Sequence, residues 1–505
     1  MRKLSYKRKK SKSSAFGWVL LAFGLVFIGL SLFILFQDKA RYQSQTRVLP
    51  AGSTIGGIAV GGMEVQPALQ RISEAYAIPV ELRYQGARMQ FLPAQLGSAI
   101  DLLALSDALN QMGGGGGWFA HLWGKEKAEP PIELSVEFTG DQMMIENLLR
   151  EEVASRYDRQ ATFARPAVGQ TNFEAGQDGT SLDVGNAAAL IDSALKSPNQ
   201  RVIDLPISVT QAEGPNWQDL EVMLKQQLIA ENFKGLVEVY LADPKTDQTI
   251  HFAQRGLQDV VVDVAYSGAS TIKIPIMVSV LKRTEEPTPN LAKGWMSAMI
   301  TQSLNPPADA LMKTYLDAQN GPLVVMRDLV DLGYENTFLA GYFEPGSPLL
   351  SQFTTPANSR RDVYLDPDTY NQTVPSEIGD LLKRIYNCSL DPAQAMFDGA
   401  VTQSECEEMM GYLRANQIGA LIESGVPPEA TVAHKHGWVV ALDGYLHTMS
   451  DAGVVYTPGG DYVLVIFVHT DEQLIFEVGE RIFARLSQSI YNFYNVNSQM
   501  PWLGQ

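Results

Sequence analysis

Cysteine and histidine are scarce in this chain: its 505 residues hold two cysteines, Cys388 and Cys406, and six histidines. So few soft ligands exclude a Cys/His zinc framework, and with no third ligand in reach the cysteine pair is not a metal site. In an exported chain the pair reads as a disulfide closing a short loop or as two buried free thiols, and the sequence leaves both open. Positive charge is also in short supply. The formal net charge is −17, and residues 1–12 alone carry seven of the 39 Lys and Arg, which leaves 32 against 56 Asp and Glu for the rest, or −24. An acidic body without a basic face excludes a nucleic-acid partner. Charged residues make up 19% and hydrophobic ones 45%, a globular and not a disordered composition. No internal repeat stands out.

Long apolar runs are equally few, and the main one is at the start. Ala15 to Phe36 is 22 residues without a charge, about the length that crosses a hydrocarbon core of roughly 30 Å. The basic tail of residues 1–14 precedes it and Asp38 follows, so the positive-inside rule predicts a signal anchor over 15–36, with the N-terminus inside and the remainder outside. The run is too long for a cleaved leader, and no Ala-x-Ala-like site follows. A polar stalk over 37–50 is expected next.

From residue 51 to 213 the pattern is short β-like alternation interrupted by helical stretches, an α+β region in two units, 51–112 and 131–213. Five glycines, Gly113 to Gly117, form a flexible joint between them, followed by Trp118, Phe119 and Trp123. The phrases Ile58-Ala-Val-Gly-Gly-Met63 and Leu92-Pro-Ala-Gln-Leu-Gly97 make this region resemble a peptidoglycan-binding repeat of cell-wall proteins. The resemblance implies cell-wall glycan as a partner for 51–213.

Gly214-Pro215 breaks the chain, and a new pattern begins at Trp217 and runs to about 495. Strands are expected at both ends, near 235–254 and 437–469, with helices between and a closing helix over Phe476–Tyr494. That order predicts an α+β plan, an antiparallel sheet covered by helices. Within it lies Ser270-Thr-Ile-Lys273, a polar tetrad where strand or loop gives way to helix. Positions i and i+3 share a helix face, so Lys273 would stand beside the Ser270 hydroxyl. An amine whose pKa is lowered by burial or a second cation can take a serine's proton.

Two further elements follow in order: Ser303-Leu304-Asn305, before Pro306-Pro307, and Lys435-His436-Gly437 at a strand entry. Ser-x-x-Lys, Ser-x-Asn and Lys-x-Gly in this sequence resemble class A serine β-lactamases and penicillin-binding proteins. The resemblance covers about 217–495 and implies an acyl-serine mechanism needing neither metal nor organic cofactor. It assigns Ser270 as nucleophile, Lys273 as base, Ser303 as proton relay and Asn305 as holder of Lys273 and the substrate amide. Lys435 would supply positive charge for a substrate carboxylate, and the N–H groups of Ser270 and Trp438 the oxyanion hole. Gly437 and His436 belong to the same substrate-binding strand. His434 and His436 share a strand face, but two imidazoles without a third ligand do not make a metal site.

The sequence also departs from the pattern. His436 stands where the family has a hydroxyl. The Glu-x-x-Leu-Asn phrase whose glutamate activates the deacylating water is absent, and Phe343-Glu344-Pro345 echoes only its start, which makes Glu344 the candidate base. The implied substrate is therefore a β-lactam or a peptidoglycan stem peptide. The expected activity is β-lactam hydrolysis by a membrane-anchored enzyme, with a D-Ala-D-Ala carboxypeptidase or a silent wall-binding sensor as the alternatives.

Overall fold

The computed structural model describes residues 15–44, 48–112, 118, 122–123 and 130–502. The basic tail and the glycine run 113–117 lie outside the described residues. Helix α1, Ala15–Ser44, contains the segment Trp18–Tyr42, with a mean hydropathy of 2.9 over its most apolar window. It is long and apolar enough to cross a membrane, and none of its most apolar window is buried. The helix continues through the polar residues 37–44, and Leu49 is already buried in a core.

The chain divides into two compact units, 1–160 with 179–210, and 161–178 with 211–505. In the first, the two expected halves do not fold apart. Strand Thr54–Ile55 pairs in parallel with Glu133–Leu134, and Val80–Tyr84 pairs in parallel with Val202–Asp204. Hairpins form within each half, but these two parallel pairings cross between them, so 51–112 and 131–213 interlock. One core joins Val80, Leu82 and Leu96 to Ile145, Ile191 and Ile203; a second joins Ile55, Ile72 and Leu109 to Leu134 and Phe138. Helix Val184–Leu195 starts at an Asp183 cap that accepts from Asn186 N–H.

The second unit is larger than the sequence predicts, because 161–178 belongs to it and not to the first unit. Phe173 packs edge-on against Phe493, Thr171 Oγ1 donates to Gln488 Oε1 at 2.9 Å, and Asn172 Nδ2 donates to Met500 O at 2.7 Å. Its centre is a six-stranded antiparallel sheet of β1 (Leu236–Ala242), β2 (Thr249–Arg255), β3 (Gln258–Val260), β4 (Thr431–Val440), β5 (Leu446–Tyr456) and β6 (Tyr462–His469). The spatial order is β3-β2-β1-β6-β5-β4. This is the α+β plan expected, with strands from both ends of the domain meeting where β1 pairs β6, Leu236 opposite His469.

Period-two alternation explains the two layers of helices. In β6, Val463, Val465 and Phe467 face one core, while Leu464, Ile466 and Val468 face the other. A strand buried on both faces reads as a continuous apolar run, and all eight residues of β6 are buried. Helices α2 (Trp217–Ala230) and α9 (Phe476–Tyr494) cover one face. The other is covered by α3 (Lys273–Leu281), α4 (Asn290–Thr301), α5 (Asn305–Leu311), α6 (Gly321–Asp331), α7 (Pro375–Leu390) and α8 (Gln403–Arg414). Cys388 of α7 and Cys406 of α8 are joined by a disulfide, which settles the choice the sequence left open. Helix α3 is buried along its whole length, the burial pattern of a central helix.

Candidate active site

Ser270 sits on the turn that leads from the short strand Tyr266–Ser267 into α3. The turn is closed by Thr271, whose N–H and Oγ1 both donate to Gly268 O, at 3.0 and 2.6 Å. Lys273 opens the helix and is fully buried. Its Nζ donates to Ser270 Oγ at 3.2 Å, to Ser303 O at 2.6 Å and to Asn305 Oδ1 at 2.7 Å. Three acceptors match the three protons of an ammonium. Burial pulls the Lys273 pKa down to about 7, against the opposing charge of Asp309. A large share of Lys273 is therefore neutral at neutral pH and able to accept the Ser270 proton.

Ser303 lies in the break between α4 and α5 with φ at +60°, a left-handed conformation unusual for a residue with a side chain. That twist turns its carbonyl to Lys273 and its Oγ to Lys435, whose Nζ donates to it at 2.8 Å. Pro306 and Pro307 then start α5, where a missing N–H has no consequence. Lys435 is fully buried on β4, the strand at the sheet edge, and also donates to His436 O at 2.9 Å. Burial, then repulsion from Lys273, lowers its pKa to about 7, with Asp451 acting in the opposite direction. The structure thus brings Ser270, Lys273, Ser303, Asn305 and Lys435 into one hydrogen-bonded cluster.

Gly437 is required by close approach. A Cβ there would lie 3.0 Å from Ser270 N and 2.9 Å from Ser450 Oγ, so a side chain would push the strand off the serine turn. His436 is buried, with its ring 4.6 Å from that of Trp438 and Asn416 Nδ2 3.2 Å from its Nδ1. Burial, then the charges of Lys435, His434 and Lys273, drive its pKa down to about 2, so it is neutral. With Nδ1 accepting from Asn416, the ring proton is assigned to Nε2. A neutral N–H donor takes the place of a hydroxyl. Trp438 rests edge-on against Phe476.

Beneath this strand His434 Nδ1 lies 2.8 Å from Asp451, and its Nε2 lies 3.6 Å from Glu423, beyond hydrogen-bond range. Burial would lower the His434 pKa, but Asp451 and Glu423 override it and raise it to about 9. The two histidines therefore play opposite electrostatic parts.

Glu344 is not brought to the cluster. Its side chain is exposed and paired with Lys313 at 2.8 Å, and that partner lowers its pKa. An ion-paired surface carboxylate is a poor proton acceptor, which corrects the expectation that Glu344 serves as base. Its neighbour Phe343 does reach the cluster, its ring centred 5.3 Å from Lys273 Nζ. Phe343 N–H donates to Asp309 Oδ1 at 2.8 Å. Asp309 was not singled out from the sequence, although it stands four positions after Asn305 on α5 and so shares its face. It is buried, and burial raises its pKa.

Residues 293–494 match the family model described as the beta-lactamase enzyme family. That is the family this domain resembles. No curated protein matches the chain. Similar solved structures include a beta-lactamase from Chitinophaga pinensis, 17% identical, with a TM-score of 0.42 over 54% of this chain and 98% of that one. A class A beta-lactamase from Mycobacterium abscessus is 17% identical, with a TM-score of 0.39 over 54% of this chain and 100% of that one. The structure titled PBP-A is 18% identical, with a TM-score of 0.40 over 55% and 97%.

Proposed function

We propose that this chain is a membrane-anchored serine hydrolase that cleaves an amide through an ester on Ser270. The observation that carries the reading is Lys273 Nζ at 3.2 Å from Ser270 Oγ, fully buried and with its pKa lowered to about 7. Ser270 Oγ attacks the carbonyl carbon while its proton passes to Lys273. The C–N bond then breaks, and the departing nitrogen takes a proton from Ser303 Oγ, which Lys435 replenishes. Asn305 holds Lys273 and the substrate amide, and Lys435 with the His436 Nε2–H receives a substrate carboxylate. The N–H groups of Ser270 and Trp438 stabilise the oxyanion.

Of the two substrates the sequence implies, the geometry favours the wall peptide. Among the described residues no carboxylate hydrogen-bonds to Ser270 or Lys273, and the apolar Phe343 ring flanks Lys273 instead. Without a carboxylate to activate water, a penicilloyl ester persists, which suits a D-Ala-D-Ala carboxypeptidase and not a fast β-lactamase. The anchor places the domain on the outer side, and residues 51–213 contact wall glycan, for which cosedimentation of penicillin-blocked protein with sacculi is the test.

Intact-mass spectrometry after mixing with penicillin tests the whole reading. A persistent adduct absent from Ser270→Ala, with D-Ala released from a stem pentapeptide, supports it. Rapid loss of the adduct with drug consumed restores the β-lactamase reading, and no adduct at all removes both.

A further inference from the structure

On the same face of the sheet, outside the serine cluster, three metal-ligating side chains converge that the acyl-transfer chemistry does not use. Glu238 of β1 is fully buried, while His251 of β2 and Asp263, just beyond β3, are partly exposed. Glu238 pairs with Ala253 and Tyr240 with His251, so Glu238 and His251 are diagonal neighbours on one face. His251 Nε2 lies 2.9 Å from Glu238 Oε1 and 3.7 Å from Asp263 Oδ1, and one ligand atom from each residue fits within 4.8 Å of the others.

We propose that Glu238, His251 and Asp263 form a zinc-binding site that fixes the start of the segment leading to Ser270. Tetrahedral zinc with bonds of about 2.0–2.1 Å to nitrogen and oxygen sets its donor atoms roughly 3.3 Å apart, and the two observed separations bracket that value. The donor set of one imidazole and two carboxylates suits zinc and leaves a fourth position for water, reached from the exposed side of Asp263.

Two surrounding features support a ligand here. Tyr266 is fully buried beside Glu238 and interacts with that carboxylate from outside the three-ligand group. Ser376 Oγ donates to Asp263 Oδ1 at 2.6 Å, the kind of outer hydrogen bond that orients a ligating carboxylate. The nearby Arg360 donates to the carbonyls of Val261, Val262 and Asp263 and to Asp362, and makes no hydrogen bond to Glu238. Glu238 already accepts from the N–H groups of Asp263 and Val264, and a cation would add β2 and the Asp263 carboxylate to that tie, displacing the proton that His251 and Glu238 share.

The test uses the full chain in detergent, stripped with EDTA and dialysed, titrated with ZnCl2 by calorimetry and with Co2+ by visible absorption. One zinc per chain, a tetrahedral cobalt spectrum, and at least tenfold weaker binding in His251→Gln and in Asp263→Asn are expected. A His447→Gln/His469→Gln control, removing a neighbouring imidazole pair on the same sheet, keeps wild-type affinity. Should the variants not fold, thermal unfolding of the wild type decides: zinc at a hundredfold over Kd raises the midpoint by about 5–10 °C relative to EDTA. No stoichiometric binding, binding insensitive to both variants, binding lost in the control, or no thermal shift each overturns the site.

Discussion

Ser303 carries two burdens that separate substitutions can tell apart. Its φ of +60° is strained, and its Oγ is one of two acceptors for the buried Lys435 ammonium. Ser303→Ala keeps the backbone strain and removes the hydroxyl; Ser303→Gly removes both. Each leaves Lys435 one hydrogen bond short, at about 1–3 kcal/mol. The pair differs chiefly in the left-handed conformation, which favours glycine by about 1 kcal/mol net of its greater unfolded-state freedom. Guanidinium unfolding should therefore rank wild type above Ser303→Gly above Ser303→Ala, with a gap between the variants of about 1 kcal/mol, or roughly 2–4 °C in Tm. Penicillin acylation followed by intact mass should fall about 10²–10⁴-fold in both, since both lose the relay to the departing nitrogen. Ser303→Ala as stable as Ser303→Gly would refute the strain argument, and wild-type acylation in either would refute the relay.

Lys273 must be neutral to accept a proton and Lys435 charged to hold a carboxylate, so with both pKa values at about 7 acylation kcat/KM should trace a bell peaking near pH 7, rising through Lys273 and falling through Lys435. A pH-independent rate from 5 to 9 would argue against the two-lysine cluster. Glu344→Gln should leave the lifetime of the penicilloyl adduct unchanged, because the side chain is spent on Lys313 at the surface. His434 has a folded pKa raised from 6.5 to about 9, so its stabilising effect is complete below about 6.5 and fades as pH rises through 9. The stability gap between wild type and His434→Gln should accordingly shrink by about 3 kcal/mol over that range, read by urea unfolding. Cys406→Ser opens the short loop between α7 and α8 and should cost about 3 kcal/mol, an effect that a reductant reproduces in the wild type.

The parts of the site legible in the sequence are those set by local periodicity. Ser270 and Lys273 meet because one turn of backbone puts them three apart, and Lys435 and Gly437 follow from strand alternation. The closing helix Phe476–Tyr494 and the apolar run of β6 were readable on the same grounds. Glu344 was misread because the orientation of an irregular loop depends on distant partners: Asp309 holds Phe343 N–H, and Lys313 takes the carboxylate outward. The Glu238–His251–Asp263 group has no compact motif, since its members are 13 and 12 residues apart and meet only through strand register. The 161–178 segment carries no change of composition that separates it from its neighbours; its allegiance is decided by Phe173 and Thr171 finding partners more than 300 residues away.

That last segment bears on how the protein can be taken apart. The chain leaves the first unit at 160, returns at 179 and leaves again at 210, so the order of residues in the gene is not the order of the folded pieces. A truncation beginning at Trp217 would discard Phe173 from a core that holds Phe493 and would strand Gln488 without Thr171. One beginning at 161 would keep them, but would carry 179–210 as an insert whose strand Val202–Asp204 has lost Val80–Tyr84 and offers an unpaired edge to other molecules. Neither cut yields an intact second unit on its own. A single cut in the chain therefore cannot separate the two units.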